Sequence, residues 1–113
     1  MDTFYALAEP TRRKIIELLA RHGELSATEI SDRFQISAPA VSQHLKVLRE
    51  ADLVRVEKRA QQRIYTLNPQ AMGQVEDWAR QVTELWNKRF DTLDALLQEE
   101  KKKRPPVQKR KDG

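Results

Sequence analysis

The sequence predicts a mostly α-helical fold with one small β-hairpin, and three observations lead to it. Apolar residues recur at helical spacing in several segments, among them Ile15, Leu18 and Leu19, then Val41, Leu45 and Leu48. Helix start and stop residues flank those segments. Only one stretch, residues 53–67, carries the β-branched and aromatic residues of strands, as "LVRVEK" and "RIYTL" joined by "RAQQ".

The elements follow in order. Residues 2–8 read as a short helix, interrupted by Pro10. A second helix begins at Thr11 and runs to about Arg21, with Ile16 beside its apolar stripe; Gly23 ends it, as glycine does just past a helix terminus. Ser26 caps a third helix and Glu29 completes a capping box, each side chain able to satisfy a backbone donor of the other residue. Ile30 and Phe34 face inward from it. A three-residue turn, "QIS", leads to a fourth helix with Ser37 as N-cap and Pro39 in the first turn, where a missing N–H costs nothing. After the hairpin, Asn68 and Pro69 start a long helix reaching about Lys103, on the order of 50 Å. Because "RAQQ" holds no residue at home with positive φ, a wide and mobile hairpin tip is expected. The organisation expected is residues 1–69 as one domain with its N-terminal helix, 70–103 as the long helix, and 104–113 as a basic disordered tail.

The 113 residues are 39% hydrophobic and 34% charged, enough for one domain with small apolar faces. No cysteine is present, which removes disulfides, thiolate metal sites and cysteine nucleophiles. The N-terminus lacks the pattern of a signal peptide and no apolar run reaches the ~18 residues of a membrane span, so a cytoplasmic location and no membrane partner are expected. The net charge is +4, but residues 101–113 hold seven Lys or Arg against one acid, leaving the preceding hundred residues at −2. Within that acidic body, residues 53–67 stand out: Arg55, Lys58, Arg59 and Arg63 face a single Glu57. Local placement of charge, not the total, points to an anionic partner.

The fourth helix poses the main question, because its outward face is short and weakly charged. With Val41 at 0° and 100° per residue, Leu45 and Leu48 fall about 40° to one side and 20° to the other, while Pro39, Ser42, Gln43, Lys46 and Glu50 lie opposite and His44 falls on the boundary. A helix entering the major groove needs short side chains near its entering end, so that the backbone can approach, and groups that both donate and accept. Gln pairs bidentately with adenine and Ser serves either partner. Long cations belong further out, on phosphates. The alternative is a solvated face that happens to lack charge. Two helices joined by a tight turn and followed by a basic hairpin weigh against it: they make a winged helix-turn-helix. The reading residues expected are Ala38, Pro39, Ser42 and Gln43. Ser37, Lys46, Arg49, Lys58, Arg59 and Arg63 are expected on phosphate. His44 either donates to phosphate or packs at the core edge.

"ALAEPTRRKIIELLARHGELSATEIS", "ISAPAVSQHLKVLREADLV" and "RIYTLNP" resemble, in register from about residue 4 to 69, the ArsR/SmtB family of bacterial winged helix-turn-helix repressors. The resemblance implies a homodimer that binds operator DNA. The positions matching the family's groove-facing residues are Ala38, Pro39, Ser42 and Gln43. Metal-sensing members carry cysteines in the segment that here reads "ELSATEIS", and others place ligands, histidine among them, on the C-terminal helix. Here no histidine follows His44, so no metal and no cofactor are expected.

The long helix carries an apolar stripe too long for so small a domain to cover: Val75, Trp78, Val82, Leu85, Trp86, Phe90 and Leu93. Glu76/Arg80 and Glu84/Lys88, spaced i,i+4, support its outward side. A second copy of the chain is the economical partner, with Phe4, Tyr5 and Leu7 of the N-terminal helix joining the seam. The fold class is thus a winged helix-turn-helix with N- and C-terminal dimerisation helices. The function expected is a homodimeric repressor occluding an inverted-repeat operator in double-stranded DNA. The alternative is a winged-helix module that sequesters a protein partner. Catalysis is not expected: Ser42 and His44 diverge by about 200° on one helix, and there is no glycine-rich phosphate loop. No residue pattern names an inducer. The tail is either a phosphate anchor or a solubilising segment.

Overall fold

A computed structural model describes residues 2–103. The expectations for the tail lie outside the described residues. The elements are α1 (Thr3–Leu7), α2 (Pro10–His22), β1 (Glu24–Ser26), α3 (Ala27–Ser31), α4 (Ala38–Glu50), β2 (Val54–Arg59), β3 (Gln62–Leu67) and α5 (Pro69–Lys103). The structure divides into two compact units, the first reaching Glu76 and the second starting at Asp77.

In the first unit, α1 to α4 pack with the sheet around one core. Ile15 and Leu19 of α2, Ile30 of α3, Val41, Leu45 and Leu48 of α4, and Leu53 and Val54 at the start of the wing are almost wholly buried. The helical ones are the residues that 3.6-residue periodicity places inward, and each buried side chain contributes roughly 1.5–3 kcal/mol by leaving water. Phe34 and Leu18 pack half-buried against them. Ala71 is buried in the same core and Met72 packs against it, so the first turn of α5 is fastened to this unit.

The helix ends are closed as the residues require. Asp2 accepts from the Phe4 amide at 3.2 Å. Pro10 opens α2 rather than interrupting α1, because Glu9 serves as N-cap and accepts from the Arg12 amide at 3.0 Å. The Ser26–Glu29 capping box is reciprocal, at 3.1 and 2.9 Å. Its hydrogen bonds, from Ser26 above all, hold the Glu29 carboxyl below the ordinary glutamate range. Helix α4 ends in a Schellman arrangement: the Asp52 and Leu53 amides donate to Arg49 and Leu48 carbonyls, both at 3.0 Å, with Asp52 at φ 61°.

Beyond the start of α2, the fold differs from the sequence reading in four further places. The sheet has three strands, in the order β1-β3-β2, not two. Residues Glu24, Leu25 and Ser26 pair antiparallel with Thr66, Tyr65 and Ile64, so Ser26 both ends a strand and caps a helix. Helix α3 stops at Ser31, and i→i+3 bonds from Arg33 to Ile30 and from Phe34 to Ser31 carry the chain on. The connection to α4 is therefore six residues rather than three. The hairpin tip is tight, with only Ala60 and Gln61 between the strands, because Ala60 accepts a φ of 57°. On α5, Arg80 pairs with Asp77, at i,i+3, and among the described residues neither Glu76/Arg80 nor Glu84/Lys88 closes to ion-pair distance.

The described residues of the second unit, 77–103, are helical. The large apolar residues among them are more than two-fifths exposed, from Val82 and Leu93 at 46% to Leu85 at 68%. Trp86 and Phe90 meet edge to face at 4.8 Å, and the Arg89 guanidinium lies 5.4 Å from the Trp86 ring centre. Among the described residues no helix is long and apolar enough to cross a membrane.

Candidate nucleic-acid interface

Helix α4 presents Ala38, Pro39, Ser42, Gln43, Lys46 and Arg49 to solvent while Val41, Leu45 and Leu48 hold it to the core. The outward face deduced from the 100° rotation is the face the fold leaves open. The Ser37 hydroxyl accepts from the Ala40 amide at 3.2 Å, closing the first turn, so part of its hydrogen-bonding capacity is committed to the helix.

Between α4 and the sheet lies a groove of about 510 Å³. It brings together Pro39, Ser42, Gln43, Lys46 and Arg49 of α4 with Arg63 of β3. Short polar groups and three cations thus share one concave surface. Tyr65 forms part of the wall and is buried, which ties the wall to the core.

The wing cations divide into two kinds. Lys58 and Arg63 are directly opposite each other in the β2–β3 register and both are exposed. Like charges in that position repel, and among the described residues neither has a carboxylate within ion-pair distance. Arg59 differs: its guanidinium meets Glu24 at 2.6 Å and Glu57 at 3.3 Å. The Glu24 hydrogen bond, with the charges of both carboxylates, raises its pKa further. Arg59 was expected on phosphate, and in the free protein it is the strut joining β2 to β1.

His44 lies away from this groove. Its Nδ1 is 3.4 Å from Arg12 Nη1 and 3.9 Å from Glu9 Oε2, and its side chain is 20% exposed. Of the two readings for His44, the geometry is that of a residue at the core edge. Among the described residues, no three His, Asp or Glu side chains cluster as a metal ion would need.

A helix-turn-helix domain model matches residues 7–57. The transcriptional repressor SdpR of Bacillus subtilis is 35% identical over 77 residues, covering 68% of this chain and 84% of that protein. An HTH-type transcriptional regulator of Mycobacterium tuberculosis is 42% identical over 83 residues, covering 69% and 77%. The crystal structure of an ArsR family transcriptional regulator superposes with a TM-score of 0.70 at 29% identity, over 75% of this chain and 87% of that one. The chain belongs to the ArsR family. As an ArsR-family helix-turn-helix protein it is a DNA-binding transcriptional regulator.

Two residues of this ArsR-family chain carry more than the sequence disclosed. Asn68 is buried; its Nδ2 donates to the Asp52 carbonyl at 2.7 Å, and its Oδ1 accepts from Arg55 at 3.2 Å and from the Gln70 amide at 3.3 Å. It therefore fixes the end of α4, the root of the wing and the start of α5 together. Arg12 is 9% exposed. Its place at helical spacing with Ile15, Ile16 and Leu19 was the available signal, since a cation on the apolar stripe must be satisfied internally.

Of the dimer residues expected, Phe4 and Tyr5 are 41% and 57% exposed. Leu7 is half-buried against the chain's own core, and Val75 is half-buried. Trp78, Val82, Leu85, Trp86, Phe90 and Leu93 are all exposed.

Proposed function

We propose that this regulator acts as a homodimeric repressor that reads an inverted repeat and blocks transcription by occupying it. Two copies of α4, about 34–36 Å apart, would enter successive major grooves on one side of the duplex. Gln43 and Ser42 read base edges, and Ala38 and Pro39 allow close approach. Lys46, Arg49, Lys58 and Arg63 hold phosphates, while Arg59 and the Ser37 hydroxyl contribute less because both are engaged within the protein. The exposed residues of the second unit supply the seam, with Phe4 and Tyr5 from α1. The observation that carries this reading is the groove in which an exposed, uncharged reading face sits beside three cations. The repression itself is supported by the relative SdpR, whose name states it. No observation favours the sequestering module.

Two variants test the division of labour. Gln43→Ala should relax base preference at one operator position by about 1–3 kcal/mol. Arg63→Ala should weaken all duplexes similarly and lower the slope of log K against log salt by about 0.9. Equal effects of both on base preference would refute the assignment, and footprinting that protects a single half-site would refute the dimer.

A further inference from the structure

We infer that Arg12 and His44 form a positioning pair that sets the rotation of the recognition helix; this rests on the reading of α4 given above. Burying a guanidinium costs several kcal/mol unless its donors are satisfied. Arg12 meets that cost without a carboxylate: among the described residues none lies within 4 Å of its side-chain nitrogens. Instead Nε donates to the Ala6 carbonyl at 2.6 Å and Nη2 to the Tyr5 carbonyl at 3.3 Å. The guanidinium sits 5.5 Å from the centre of the Tyr5 ring. The third direction of the fork goes to His44 Nδ1, 3.4 Å from Nη1. One planar group therefore grips the carbonyl end of α1 and a side chain of α4 at once, from α2.

An apolar residue at position 12 would serve the core's stability as well or better. What the fork adds is direction. Val41, Leu45, Val47 and Leu48 fix how deeply α4 sits, but apolar burial has no preferred angle. A hydrogen bond from a held guanidinium to an imidazole does. His44 is the immediate neighbour of Gln43, so turning α4 by 10° moves its outer side chains by about 1 Å, given a helix radius of roughly 6 Å with side chains. That displacement breaks a bidentate contact to a base, whereas a long cation on a phosphate follows it. Arg12 can donate to Nδ1 only when that nitrogen carries no proton, which places the ring proton on Nε2. Glu9 Oε2, 3.9 Å from the same nitrogen, is the competing partner.

The test uses the full chain and two duplexes: one selected by the wild type from a randomised pool, and a scrambled version of it. Arg12→Met and His44→Leu should each lower the ratio of selected to scrambled affinity by about tenfold, with scrambled binding changed by less than about twofold. The double variant should lose no more than either single one, as for two residues acting through one bond. His44→Asn, whose Oδ1 falls near the position of Nδ1, should recover the ratio to within about threefold. If Arg12→Met does not fold, the comparison of His44→Leu with His44→Asn on a partly exposed position decides alone. An unchanged ratio in the single variants, losses that multiply in the double variant, or an Asn variant as poor as Leu would overturn the pair. Uniform weakening of both duplexes by His44→Leu would instead make His44 a phosphate contact, and the pair would fall. If the wild type selects no duplex, the reading of α4 fails first and is distinguished by that result.

Discussion

Among the described residues, three sit in the left-handed region, and one of the three is glycine. Gly23 has φ 85°, and a Cβ there would meet nothing within 4 Å, so its glycine is kept for backbone conformation and not for space. Asp52 and Ala60 adopt φ 61° and 57° with side chains that disfavour it. Asp52→Gly and Ala60→Gly should therefore each stabilise the chain, by about 0.5–1 kcal/mol, offset in part by the greater freedom of glycine when unfolded. Urea midpoints that fall instead would show that the side chains contribute contacts outweighing the strain. Asn68→Ala should act in the other direction. It leaves the part-buried Asp52 carbonyl without its side-chain donor and costs about 1–3 kcal/mol. Asn68 was legible as a helix cap, which depends on the next residues in the chain. Its bond to Asp52 joins residues sixteen apart and could not be seen in a local pattern.

At the scale of elements, periodicity and caps located every helix, because those signals are local and physical. The inward stripe of α4 and its Ser37 cap were both readable, and so was the exposure of Ser42 and Gln43. Strand β1 was not readable. "ELS" is too short to show alternation, and it becomes a strand only because β3 offers an unpaired edge beside it. The hairpin tip was misjudged for a related reason: strand pairing on both sides forces Ala60 into a conformation that its own preference resists. The capping box, in contrast, makes a pH prediction. The Glu29 carboxyl is held below its ordinary value of 4.5, chiefly by the Ser26 amide. Its stabilising effect is thus complete above that value and lost as pH falls through the lower, folded-state pKa. Glu29→Gln keeps the box geometry without the titration. The variant should show a shallower loss of stability below about pH 4.5 than the wild type. Parallel acid limbs would mean that the box contributes nothing to the pH dependence.

At the scale of the molecule, the first unit closes its own core, whereas the second leaves an apolar row in water. Leu85 is 68% exposed, so Leu85→Glu should leave the melting of the first unit unchanged. It should convert a dimer to monomers in sedimentation, and selected-duplex affinity should fall with it by at least about tenfold as two half-sites reduce to one. A Glu variant that still sediments as a dimer would move the seam elsewhere. The charged row on β2 has a different consequence. With β3 in the middle of the sheet, β2 is a border strand, and Arg55, Glu57, Lys58 and Arg59 are exposed along it. A foreign strand drawn to that border would have to dock beside four charged side chains and partly desolvate them. The hairpin that carries Lys58, Arg59 and Arg63 is thereby guarded against edge-to-edge pairing with other copies of the chain.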